Sequence, residues 1–270
     1  MPHTPRTRFA NIIFRAIFTT LGAVAEIFAV SLVFDIANPL FFIAVAIFLI
    51  SIAYLWDFYR DYHLQLTKPH RFTATTFIIA LIASFFGILF LKNKVMAAII
   101  FVAFIFLEFI YNKYIYEIAS TVWISKDIVA IIFWNLFIFI FLAYSGVSSI
   151  ISILYFLIFV LSRDLVNIAY CDIKDISLDQ LNRLKTFATL LGARTLVDGL
   201  TMINIFSILW LVLGVALGLL PMIALFLIVP VVITGTLIFM SRSSKVYSST
   251  TVDFEYYVWL LSMMIGKLLV

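Results

Sequence analysis

The chain has 270 residues, 65% of them hydrophobic and 17% aromatic, with only 12% charged and a formal net charge of +4. A soluble domain carries about 45–50% apolar and roughly 25% charged residues, so this balance describes an integral membrane protein with little length left for a soluble domain. The lone cysteine, Cys171, excludes an intramolecular disulfide, the three histidines have no zinc-like spacing, and the nine glycines form no phosphate-loop or dinucleotide signature.

A helix crosses the hydrocarbon core with roughly 20 apolar residues. The first run, 10–33, contains Ala23-Val24-Ala25 but continues to Phe34, beyond a signal-peptide core, and reads as a span. The second, 39–56, gives out in Asp57-x-x-x-Asp61, followed by Lys68 and Arg71 and a third span over 73–91. The fourth, 94–111, closes on Tyr111-Asn112-Lys113. Spans over 122–144 and 147–170 follow, and the sixth gives out in Asp172-x-x-Asp175-x-x-x-Asp179, trailed by Arg183 and Lys185. The seventh, 187–213, is long enough to tilt or bend, and 217–240 and 254–270 complete an all-α bundle of nine transmembrane helices.

Charge fixes the expected orientation. With the amino terminus cytoplasmic, every lysine and arginine except Lys92, Lys94 and Lys267 falls on the inner side, as the positive-inside bias requires. The small, one-sided net charge therefore reports topology and not a nucleic-acid partner. Both aspartate groups fall on that inner face, and the outer connections are short. Spans two–three and six–seven repeat one order: apolar helix, acidic group, basic segment, apolar helix. The chain is thus read as one membrane domain, 1–270, of two pseudo-repeats, about 1–120 and 121–270.

Helical spacings of three, four and seven bring side chains onto one face, so each aspartate group reads as a carboxylate comb. Like charges held so close repel unless a cation neutralises them, and oxygen-only ligands suit Mg²⁺, which typically bridges carboxylates to phosphate oxygens. Two facing combs would hold a diphosphate, with nearby cations on its free oxygens. The bland alternative for either comb is a solvated helix end. Glu26, Glu108 and Asp198 are further acids in or near spans, Glu108 being placed to pair with Lys113, while Asn135 and Asn204 are expected to hydrogen-bond between helices. Cys171, beside carboxylates that disfavour a thiolate, reads as inert.

These residues resemble the UbiA superfamily of intramembrane prenyltransferases, nine-helix bundles with an N-x-x-x-D-x-x-x-D signature after the second helix and D-x-x-D-x-x-x-D after the sixth. The second is complete here as Asp172, Asp175 and Asp179, and Lys185-Thr186 through Gly192 is similar to the K-T-x-x-x-x-x-G stretch that follows. Lys68-Pro69-His70-Arg71 looks like the P-x-R segment, and Tyr111 and Lys113 match a tyrosine and lysine near the substrate. The first signature departs from the pattern: Ala53 replaces its asparagine, so one oxygen ligand is missing before Asp57 and Asp61.

The resemblance implies a multi-pass enzyme of the alkyl-transferring class whose site faces the cytoplasm and whose tunnel opens to membrane lipid. Mg²⁺ on Asp57, Asp61, Asp175 and Asp179, with Asp172 as ligand or anchor, would neutralise a prenyl diphosphate donor. Arg71, Lys68 and Lys113 would clamp the diphosphate, and Tyr111, Trp56 or Tyr170 would shield an allylic cation by cation–π contact. The small-molecule acceptor implied is aromatic, as in quinone biosynthesis; a hydroxyl acceptor such as a phosphosugar or glycerol phosphate is the alternative, with a catalytically impaired prenyl-diphosphate-binding relative behind it. Cyclisation of the prenyl chain with no acceptor also stays open. A cation transporter is the reading from another class, set against by acids that gather at one face instead of along a path.

Overall fold

Long apolar stretches free of internal proline leave the backbone no partner but itself in lipid, so they close as helices. A computed structural model describes residues 5–50, 82, 94–123, 125–181, 183–244, 247 and 249–270; the side chains of 5–16, 111–113, 115–117, 119, 125, 178, 244 and 249–251 are outside that description. In order, the helices are α1 (Pro5–Val33), α2 (Leu40–Ile50 as described), α3 (Lys94–Thr121), α4 (Ser125–Tyr144), α5 (Ile150–Ile173), the short α6 (Ile176–Leu181), α7 (Phe187–Ala216), a 3₁₀ segment (Met222–Leu227), α8 (Ile228–Ser244) and α9 (Ser249–Leu269). No strand occurs among the described residues. Among the described residues four stretches are long and apolar enough to cross a membrane: Lys126–Tyr144, Ile150–Ile173, Phe187–Ala216 and Met222–Ser243. The span expected over 73–91 lies outside the described residues apart from Ile82, which is helical.

Two expected boundaries shift, each for a physical reason. Helix α3 runs to Thr121 and not to 111, because Asn112 and Lys113 end the apolar run without breaking a helix. The eighth span is divided: Pro221 precedes the 3₁₀ segment, and Pro230 sits in the first turn of α8, where its missing N–H costs no helical bond. The bend expected in the seventh span is found at Gly192, whose φ of +73° and ψ of 158° interrupt α7. That φ belongs to glycine.

The chain divides into two units, 1–27 with 38–113 and 28–37 with 114–270. In the first, α2 and α3 pack through Phe48 and Phe101, ring centroids 5.3 Å apart. In the second, α5 is the centre, packed against α4, α7 and α9. One end of that unit carries the starts of α4 and α7 and the end of α5. The opposite end carries Asp35, to which Lys267 donates at 2.8 Å; that hydrogen bond and the lysine's charge hold the Asp35 carboxyl below the usual carboxylate range.

The second unit also buries charge. Arg163 of α5 forms a two-pronged pair with Glu255 of α9, Nε to Oε1 at 2.7 Å and Nη2 to Oε2 at 2.6 Å. Its Nη1 donates to Asn204 of α7, and Trp259 adds an N–H to Glu255 at 3.0 Å. One residue on, Asp164 accepts from Asn135 of α4 at 2.7 Å and from the Tyr256 hydroxyl at 3.1 Å. The two asparagines thus make the interhelical bonds expected of them, and this knot ties four helices together.

Candidate functional site

The second aspartate group occupies a helix–turn–helix and not one continuous helix. Asp172 closes α5, Asp175 lies in the turn and Asp179 is on α6. The turn stays near helical, with Asp175 N–H on the Asp172 carbonyl (3.1 Å) and Asp179 N–H on that of Asp175 (2.8 Å). Arg183, with φ of +56°, then reverses the chain into α7. Thr186 and Thr189 cap α7 reciprocally, which satisfies donors that a helix start leaves open.

Two residues that sequence reasoning did not single out complete the cluster. Lys126, in the first turn of α4, donates to Asp172 Oδ1 at 3.2 Å. Its neighbour Asp127 is fully buried and takes the Phe187 N–H on Oδ2 at 3.0 Å, a cap for α7 supplied by another helix. The Asp127 and Asp172 carboxyls are close enough to repel each other. Asp127 Oδ1 and Asp172 Oδ2 are buried with no hydrogen-bond partner. Burial pushes the Asp179 carboxyl up to about 6; Asp172 and Asp175 add to the rise, while Lys126 and the Thr186 hydroxyl oppose it. The only signal for Asp127 in the sequence was an acid five residues inside the predicted inner boundary at 122, which reads equally as a partner for the helix dipole.

The other expected residues fall in different places. Asp57, Asp61, Trp56, Lys68 and Arg71 lie outside the described residues, as does Ala53. Tyr111 and Lys113 are on α3, with side chains outside the description. Tyr170 is buried in a core cluster with Val166, Ala169 and Leu196, its ring edge-on to Tyr247 at 6.2 Å. Lys185 holds the Thr121 carbonyl at the end of α3 (3.0 Å), a structural post for a residue already read as topological. Asp198 pairs with Arg242 at 3.2 Å.

Among the described residues no three carboxylate, imidazole or thiol groups converge closely enough to hold a metal ion unaided. The two orphaned oxygens still fit Mg²⁺, which takes one or two carboxylates and completes its shell with water and phosphate oxygens.

A structural comparison bears on the fold that carries this cluster. The apo structure of a UbiA homolog from Aeropyrum pernix K1 superposes with a TM-score of 0.60 over 96% of this chain and 98% of that one, at 13% identity. The chain has a UbiA-type fold. No family model matches the sequence, and no curated protein matches it either. The UbiA-type fold and the acidic cluster at one end of its helices are therefore what a functional reading rests on.

Proposed function

We propose that the chain is a Mg²⁺-dependent intramembrane prenyltransferase, moving a prenyl group from a prenyl diphosphate to an acceptor with release of pyrophosphate. The observation that carries this reading is the pair of orphaned oxygens on Asp127 and Asp172, directly beside the signature Asp175 and Asp179 in a UbiA-type fold. Two buried carboxylates in contact are costly without a counter-charge.

In this reading Asp127 and Asp172 turn their free oxygens to the ion, Asp175 and Asp179 extend the ligand set, and Asp57 and Asp61 supply the other comb. Bound Mg²⁺ would neutralise the diphosphate and favour its departure. Lys126 fixes the second oxygen of Asp172 and so aims the first. Arg71, Lys68 and Lys113 are proposed to grip non-bridging oxygens, with Tyr111 and Trp56 near the allylic carbons, whereas Tyr170 is buried in the core. The proposed acceptor is aromatic, with a hydroxyl acceptor as the alternative, and the reaction is placed on the cytoplasmic side.

The test is pyrophosphate release from prenyl diphosphates by the purified protein, with and without Mg²⁺ and a mixed acceptor extract, products being weighed by mass spectrometry. Release that requires Mg²⁺ and disappears in Asp175→Asn supports the reading, and the mass gain names the acceptor. Mg²⁺-dependent donor binding without turnover in any extract would leave a binding relative in its place.

A further inference from the structure

A second site lies on the other flank of α7. Between α7 and α8 is a cavity of about 610 Å³ whose walls include Arg194, Arg242, Ser243, Phe239, Met240 and Tyr247. Arg194 is two turns into α7, and Arg242 is in the last turn of α8, so both guanidinium groups stand at the end of the helices that carries Asp172 and Lys126. Arg194 is exposed and meets no acidic partner among the described residues. Arg242 spends one nitrogen on Asp198, at 3.2 Å, in a pair whose two side chains are 37% and 47% exposed. The remaining donors are available to an anion.

Apart from Ser243 and the Tyr247 hydroxyl the rest of the cavity is apolar, and its surroundings are those of a lipid-facing wall. Phe239 and Met240 are 56% and 59% exposed. Further along the same helices Met202, Ile205 and Leu209 of α7 and Val232 of α8 are exposed as well, on segments apolar enough to span the bilayer. Cationic groups at the membrane face above an exposed apolar wall match one ligand shape: a phosphate head with acyl chains below it. A free phosphate would use the arginines and leave Phe239 and Met240 unused.

We propose that this cavity binds the headgroup of an anionic phospholipid, with Arg194 and Arg242 on the phosphate and an acyl chain along Phe239 and Met240. The site is separate from the acidic cluster yet mechanically adjacent. Tyr247 forms part of its wall and rests edge-on against Tyr170, two residues before Asp172. A lipid seated here braces the end of α5 from behind.

Native mass spectrometry of the full chain from mixed phosphatidylcholine–phosphatidylglycerol micelles tests this. Wild type is expected to retain phosphatidylglycerol preferentially. Arg194→Gln, which breaks no ion pair among the described residues, is expected to weaken that retention about 5-fold, as is Arg242→Gln, with the double variant losing the preference, since a basic side chain near an anionic lipid surface contributes about 1 kcal/mol. Equal retention of both lipids by wild type, or an unchanged preference in the Arg194→Gln and double variants, overturns the proposal. Displacement of phosphatidylglycerol by inorganic phosphate at matched concentration would reduce the cavity to a simple anion site and also overturn it. Displacement by a prenyl diphosphate would assign it to the donor, with the same result. None of these outcomes depends on turnover, so failure here leaves the transferase reading standing, and the reverse holds too.

Discussion

Replacing Asp127 by asparagine keeps an oxygen for the Phe187 N–H and removes only the negative charge, so its two tasks can be separated. Asp127→Asn is expected to unfold at nearly the wild-type temperature while losing Mg²⁺-dependent pyrophosphate release by about 10–100-fold, the range seen when groups supporting a metal site are altered. Asp172→Asn should lose at least as much, because it also releases Lys126. Titration of Mn²⁺ by electron paramagnetic resonance gives a readout independent of turnover: weaker binding in both variants is expected, and unchanged binding would remove Asp127 from the site. A different residue test concerns Arg163. Arg163→Met strands Glu255 in the bundle and should cost about 3–5 kcal/mol, seen as a lower unfolding temperature in detergent, whereas the Arg163→Met/Glu255→Met pair should recover most of it.

At the scale of elements, close helix contact makes its own prediction. Tyr155 of α5 and Trp210 of α7 stack with ring centroids 4.2 Å apart and exchange hydrogen bonds of 2.9 Å with each other's backbone carbonyls. Gly214 makes room for this: a Cβ there would strike the Tyr155 ring and lie 2.9 Å from Leu220. Gly214→Ala should therefore lower stability by about 1–3 kcal/mol, measurable by thermal unfolding. The elements also show what a sequence reveals. Asp172, Asp175 and Asp179 were legible because spacing alone marks them, and the order of the described helices followed from runs of apolar residues. Asp127 was not, because its meaning depends on Asp172 and Phe187, 45 and 60 residues away. Where α3 ends was hidden for another reason: hydropathy reports where lipid stops, and a helix can continue past it to Thr121. The cavity at Arg194 and Arg242 was equally hidden, since each arginine by itself reads as one more inner-side charge.

For the whole molecule, the ends of the second unit differ sharply. Lys126, Asp172 and the capped start of α7 lie at one, and the Asp35–Lys267 pair at the other. If the charge bias sets orientation, then in a Cys171→Ser background a cysteine at Asp35 should react with an impermeant maleimide in intact cells, while one at Ser177 should react only after the membrane is opened; the reverse pattern would invert the topology. The buried pair of Arg163 and Glu255 has a consequence for how the protein is made. The two residues are 92 positions apart, on α5 and on the last helix. During synthesis α5 enters the bilayer before Glu255 exists, and a charged side chain near the centre of a span costs about 2.5–3.5 kcal/mol. Its counter-ion arrives only when the carboxy-terminal helix is threaded. A ribosome that stops at Ser244 would release a chain with an open charge inside the membrane, the mark by which unfinished copies can be told from finished ones.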